Sequence, residues 1–218
     1  MGGAKEPVCL GCRTRLTPLP GPSCSRCQHP VGPEGAPCGL CDGWPEAVVA
    51  ARSATRFDGV AARLVQELKY GGWTRVAPVL ARPMARIVQR GPDSDPILVP
   101  VPTTPGRLRR RGFNAPELLA EEVGRILKIP VERALSRPRE AARQVGLSPS
   151  QRSANVRGAF IVGPASKAVL RHHHVFLVDD VLTTGSTGVA AAEALAAARV
   201  RSVTLLTFAR ALPGLPGA

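Results

Sequence analysis

Residues 175–188 read VFLVDDVLTTGSTG. Four apolar residues run into two adjacent carboxylates, Asp179 and Asp180. Past Val181 and Leu182 comes a turn of Thr183, Thr184, Gly185, Ser186 and Thr187. The apolar run reads as a buried strand and the Ala-rich residues 187–199 as the helix after it. A glycine-bearing turn that opens a helix presents several backbone N–H groups to one anion, and the hydroxyls add donors. The turn is therefore a candidate phosphate cradle. Two carboxylates beside it repel a phosphate, so they must serve another part of the same ligand. Carboxylates accept hydrogen bonds, and neighbouring hydroxyls such as a ribose 2′,3′ diol suit them. A sugar phosphate satisfies both halves.

The rest of the chain supplies a sheet for that strand. Residues 47–57 read as a strand. Residues 58–70 read as a helix with Val60, Leu64, Val65 and Leu68 on one face, ended by Gly71 and Gly72. Residues 75–90 read as a second helix with Pro83 as its weak point, and ILVPVP, 97–102, as a short buried strand. Residues 103–114 read as a loop. Residues 115–128 read as a helix striped by Leu118, Leu119, Val123, Ile126 and Leu127, with Asn114 as its candidate N-cap. The Arg-rich residues 136–158 lack apolar periodicity, which marks a functional or mobile loop. AFIV, 159–162, and SVTLLTFAR, 202–210, read as strands, with a connector over 163–174. Apolar strands alternating with helices argue for a parallel α/β sheet, and such sheets bind ligands at the carboxyl ends of their strands. Asp179 to Thr187 fall there.

All six cysteines sit in C-x-x-C pairs: Cys9/Cys12, Cys24/Cys27 and Cys38/Cys41. Two intervening residues let both thiolates of a tight turn face one metal, and two such turns complete a tetrahedral Zn²⁺ site. CSRCQHPVGPEGAPCGLC gives the preferred set, Cys24, Cys27, Cys38 and Cys41. Cys9 and Cys12 are then left over, or share a second metal with a partner. His29 follows Cys27 too closely and is expected in an exposed loop. A segment this small cannot bury a core, so metal binding should drive its folding. The expected division is a zinc ribbon over 1–46 and an α/β domain over 47–212.

The chain of 218 residues carries a formal net charge of +13 and a pI near 10.9, which makes anionic partners such as phosphates or nucleic acid plausible. An abundance of Arg, Ala, Gly and Pro is also what a GC-rich genome produces. No apolar run reaches the ~18 residues a membrane span needs. No secretory signal precedes Cys9 either, so a cytoplasmic protein with reduced cysteines is expected.

VFLVDDVLTTGST resembles the phosphoribosyl-pyrophosphate (PRPP) motif of type I phosphoribosyltransferases. The resemblance implies that Asp179 and Asp180 contact the ribose hydroxyls and act in catalysis. It implies that Thr183 through Thr187 hold the 5′-phosphate within a binding segment that begins at Val181 and Leu182. It also implies Mg²⁺ carried by pyrophosphate and ribose oxygens. Pyrophosphate would be displaced at the anomeric carbon, with carboxylates stabilising charge on the ribose ring. The "VDD" strand end also resembles a phosphoacceptor receiver domain. That fold needs a Lys on the last strand, and SVTLLTFAR has none.

More widely, the chain resembles the ComF family, linked in bacteria to competence and DNA uptake. The Cys pairs, LVQELKYGG, VPVP, RLRRRGFN and RQVGLSPSQRSANVRGAF occur in that order before the motif. The family often carries four Cys pairs where this chain has three, and Gln where this chain has Ala115. The resemblance implies a type I phosphoribosyltransferase-like sheet behind a zinc ribbon. Its Arg loop (Arg107, Arg109, Arg110, Arg111) would face pyrophosphate, and Arg143, Gln144, Arg152 and Asn155 would lie in a catalytic loop that closes over it. Lys69 reads as a helix end, and His172, His173 and His174 as a surface connector. The function implied is transfer of phosphoribose from PRPP to an acceptor. The alternative is a non-enzymatic DNA-uptake factor that contacts single-stranded DNA or a helicase partner.

Overall fold

The computed structural model describes residues 7–31, 38–91, 95–138 and 158–212. Its strands are β1 (Val48–Arg56), β2 (Pro96–Pro100), β3 (Leu135–Ser136), β4 (Ile161–Val162), β5 (His174–Leu182) and β6 (Ser202–Arg210). β1, β6, β5 and β2 lie in that order in one parallel sheet, while β3 and β4 pair antiparallel beside it. The helices are α1 (Leu10–Arg13), α2 (Gly59–Tyr70), α3 (Ala77–Arg86), α4 (Pro105–Arg111), α5 (Ala115–Leu127), α6 (Pro164–Leu170) and α7 (Ser186–Ala197). This is the expected parallel α/β sheet flanked by helices.

Strands covered on both faces need apolar residues at successive positions, and β2 is buried throughout. Side chains alternate between the faces. Phe176 and Val178 of β5 share one buried cluster with Leu64 and Leu68 of α2, Leu80 and Met84 of α3, and Leu119 of α5. Val175 and Leu177 meet Ala191 and Leu195 of α7, with Leu170, Cys27, Cys41 and Trp44 in the same cluster. α7 lies close against the sheet because Gly188 carries no side chain: a Cβ there would come within 2.9 Å of Leu205 Cδ1.

The N-terminal segment wraps around β1. Val8, Cys12 and Leu16 pack with α2 and α3, whereas Cys24, Cys27, Cys38, Cys41 and Trp44 pack on the opposite face. Between them the segment covers the outer edge of β1. The Ala51 N–H donates to Arg26 O at 2.7 Å, the Ser53 N–H to Gln28 Oε1 at 2.7 Å and the Arg56 N–H to Thr17 O at 2.8 Å. The β2 edge is covered likewise: Leu98 N–H donates to Pro130 O, and Glu132 N–H to Leu98 O, both at 2.9 Å.

Four details depart from the sequence expectation. Residues 103–114 contain α4, whose N-cap Thr104 accepts from the Arg107 N–H and whose end is the left-handed Gly112. Its arginines give no apolar stripe, so only its caps and Pro105 marked it. The connector over 163–174 contains α6. Asn114 does not cap α5 through its side chain; its Nδ2 donates to Val101 O at 3.1 Å. Finally, β5 runs on to Leu182, so Asp179 and Asp180 lie within a strand rather than beyond its end. Among the described residues no helix is long and apolar enough to cross a membrane.

Candidate functional site

The two acids leave β5 on opposite faces, so the fold treats them differently. Asp180 is 5% exposed and forms an ion pair with Lys69 Nζ, at 2.5 Å, from the last turn of α2. Lys69 is therefore more than a helix end. Its signal in the sequence was only its place one turn past Leu64 and Val65. Asp179, partly buried, accepts the Asp180 N–H at 2.8 Å. Burial and the neighbouring Asp180 charge push its carboxyl up to about 7.

Beyond them the chain turns through Thr183 and Thr184 into α7. Gly185 is the N-cap residue, at φ +85°. Thr184 Oγ1 bonds Ser186 Oγ at 2.7 Å. The first N–H groups of α7 have no carbonyl partner within the helix and point toward the turn. Leu182, Thr184, Gly185, Ser186 and Gly188 line a small pocket at this turn. That pocket shares Asp179, Val181, Thr183 and Thr187 with a cleft of about 360 Å³, which also takes in Lys69, Arg107, Arg111, Arg137 and Asn114. The cleft thus unites acids, turn and arginines from segments far apart in sequence.

Not every expected residue converges. Arg109 is exposed and lines neither cavity. Arg152, with Arg143, Gln144 and Asn155, lies outside the described residues. Arg111 stacks on Tyr70, its guanidinium carbon 4.6 Å from the ring centroid, and Arg137 stacks likewise on Phe160 at 5.1 Å. Asn114 is buried, and its Oδ1 has no hydrogen-bond partner among the described residues. A second groove of about 530 Å³ continues from the cleft through Lys69, Tyr70, Arg107 and Arg111 to Arg110 and Phe113.

On the far side of Gly185, the ligand atoms of Cys24, Cys27, Cys38 and Cys41 lie within 4.8 Å of one another. Cys24 Sγ and Cys41 Sγ are 3.8 Å apart, and Cys27 Sγ and Cys38 Sγ 3.5 Å. A tetrahedral Zn²⁺ with bonds near ~2.3 Å places its sulfurs roughly 3.8 Å apart, so the four thiols fit the ion. Burial opposes ionisation of Cys24, but the Cys27 and Arg26 N–H groups hold its thiol down at about 7; burial pushes Cys27 up to about 12. Arg210 is fully buried beside them. Its Nη1 donates to Cys27 O at 2.5 Å, while Nε and Nη2 have no hydrogen-bond partner among the described residues, as suits a cation facing the cysteine cluster. Among the described residues this is the one such cluster. Cys9 and Cys12 are separate from it, and neither His29 nor the 172–174 histidines join it.

No family model matches the chain. It is 29% identical over 194 residues to Competence protein F of Haemophilus influenzae, covering 84% of this chain and 82% of that protein. It is 31% identical over 170 residues to DNA utilization protein YhgH of Salmonella typhi, covering 75% of this chain and 73% of that protein. The chain belongs to the ComF/YhgH family. Against YhgH of Escherichia coli K12, this ComF/YhgH chain is 30% identical over 190 residues, covering 83% of its own length and 80% of the relative. Among solved structures, a glutamine PRPP amidotransferase from B. subtilis, complexed with ADP and GMP, covers 58% of this ComF/YhgH chain at a TM-score of 0.39 and 20% identity. The match spans 24% of that enzyme.

Proposed function

We propose that the cleft binds PRPP and that the protein is a phosphoribosyltransferase. The observation behind this reading is that one cleft gathers Asp179, Asp180, Thr183, Thr187, Arg107 and Arg111. The 5′-phosphate takes the N–H groups and hydroxyls of Thr183 to Thr187. The ribose hydroxyls donate to Asp179 and Asp180, and the ion pair with Lys69 orients Asp180 for them. Arg107 and Arg111 receive the pyrophosphate. The acceptor's attacking atom forms its bond to the anomeric carbon as the bond to pyrophosphate breaks. The electron pair leaves with pyrophosphate, and the acceptor gives up a proton. Carboxylates beneath the ring stabilise the positive charge that develops.

Mg²⁺ belongs to the same reading, where, carried in on the ligand, it would neutralise charge on the leaving group. The cleft's carboxylates are already engaged, Asp180 with Lys69 and Asp179 with the Asp180 N–H, while arginines line the rim. That donor set suits an ion that arrives on the ligand's oxygens. Zinc on the four cysteines is structural. Titration of the purified protein with PRPP and Mg²⁺, followed by a screen of bases for pyrophosphate release, tests the reading. Absence of binding at millimolar PRPP overturns it.

A second reading rests on the groove. Tyr70 is 73% exposed, and Trp73, just beyond it, 54%, although the chain has few aromatics. Tyr70 and Phe113 line the groove with Arg107, Arg110 and Arg111, a basic, aromatic surface suited to single-stranded DNA, with bases stacked and phosphates paired to arginine. The relatives' names, competence and DNA utilization, favour a DNA-related partner; a helicase working on that DNA is the protein-partner form of the same reading.

A further inference from the structure

The four-cysteine site and the anion turn belong to different segments, yet two contacts join them at the two ends of the turn. The first runs from Cys41. The Trp44 N–H donates to Cys41 O at 3.1 Å, and Arg26, between Cys24 and Cys27, fixes the same segment. Its guanidinium donates to Cys41 O at 3.0 Å, to Trp44 O at 3.3 Å and to Pro45 O at 3.0 Å. This holds the Trp44 ring, 9% exposed, against Gly185. A Cβ at Gly185 would lie 2.7 Å from Trp44 Cζ2 and 3.2 Å from Cε2, so the ring leaves no free space beneath the N-cap of α7.

The second contact runs from Cys27. Its carbonyl accepts from buried Arg210, the last residue of β6. Arg210 pairs with Leu182 across the sheet, and the next N–H, of Ala211, donates to Leu182 O at 2.8 Å. Leu182 is the residue from which the turn departs. One metal knuckle therefore reaches the start of the turn, and the other reaches its glycine.

We infer that Trp44 is a positioning residue for the anion turn and that metal occupancy of the four cysteines sets the turn's affinity for phosphate. Loss of the metal frees the Cys41–Trp44 segment, the ring shifts, and the first N–H groups of α7 no longer converge on one point. The coupling is reciprocal: a phosphate bound at the turn tightens the hold on zinc. This inference rests on the phosphate reading of the turn for its ligand, but not for its mechanics.

The experiment separates the two. Trp44→Phe keeps an aromatic ring and removes the ring atoms that meet Gly185. Zinc content, amide hydrogen exchange and calorimetry with ribose 5-phosphate are measured on the full-length protein: wild type, zinc-stripped wild type and Trp44→Phe. Trp44→Phe should retain its zinc. It should exchange faster at residues 185–189 and bind ribose 5-phosphate at least about fivefold more weakly, the lower end of usual couplings. Stripping zinc should give the same local pattern. Gly185→Ala should cost less affinity in Trp44→Phe than in wild type, because the clash has gone. Unchanged exchange and affinity overturn the inference. So does faster exchange spread equally through β1, β5 and β6, since the metal would then hold the whole chain rather than the turn. If ribose 5-phosphate binds none of the proteins while exchange at the turn still follows zinc and Trp44, the phosphate reading falls and the coupling stands.

Discussion

Asp179→Asn should make the unliganded protein more stable, and the gain should depend on pH. The wild-type carboxyl moves from its ordinary 3.8 to about 7 on folding, first because it is buried and second because Asp180 lies next to it. An acid whose pKa rises on folding carries no penalty below its unfolded value. The penalty grows as pH climbs and is complete above the folded value. At roughly 1.4 kcal/mol per decade of acidity, the full penalty is about 4 kcal/mol. Asp179 is partly exposed to the cleft and shares its field with Asp180 and Lys69, so a gain of about 2 kcal/mol is the working expectation. Asn keeps an oxygen to accept the Asp180 N–H. Urea midpoints at pH 7.5 and pH 5 provide the assay. The variant should lead clearly at pH 7.5, and less than half of that lead should remain at pH 5. A variant no more stable than wild type at pH 7.5, or a lead that does not shrink with pH, refutes the reasoning. The same substitution should weaken PRPP, since a hydrogen bond to a charged group is worth about 1.5–3 kcal/mol.

Lys69→Met should act in the opposite sense: it strands the buried Asp180 carboxylate and should cost about 1–3 kcal/mol, read from urea midpoints at pH 7.5. Elemental analysis should find about one Zn²⁺ per chain. Cys24→Ser/Cys27→Ser should abolish it, and Cys9→Ser/Cys12→Ser should leave it unchanged; zinc retained by the first variant would refute the ligand assignment. If the groove carries single-stranded DNA, affinity should fall steeply with salt, and Arg109→Ala/Arg110→Ala/Arg111→Ala should flatten that slope. No binding at low salt would remove the DNA contact and leave only a protein partner.

The acids and the turn were legible because one local pattern encodes them: an apolar strand, two carboxylates, then hydroxyls around a glycine. The four-cysteine cluster was legible for the same reason, since C-x-x-C spacing is a local property. The rest of the cleft depends on which helix crosses which strand. Lys69 reaches Asp180 only because α2 packs on the face of β5 that carries Phe176 and Val178. Trp44 reaches Gly185 only because the cysteine segment crosses to the opposite face. Neither pairing has a sequence period to betray it. The α4 helix was missed for a different reason: its exposed arginines carry no apolar stripe, so periodicity is silent where capping is informative.

The wrapping of the N-terminal segment around β1 has a consequence for solubility. A parallel sheet ends in two rows of unsatisfied amides, and an open row is a template for another chain. Here one row is closed by Arg26 O, Gln28 Oε1 and Thr17 O, and the other by Pro130 and Glu132. A chain cut back to residue 47 would keep the four strands of the parallel sheet but expose the β1 amides at Ala51, Ser53 and Arg56. Such a fragment should assemble edge to edge, and light scattering should rise with its concentration while the full-length protein stays clear. The cysteine segment would then have guarded the sheet against its own copies.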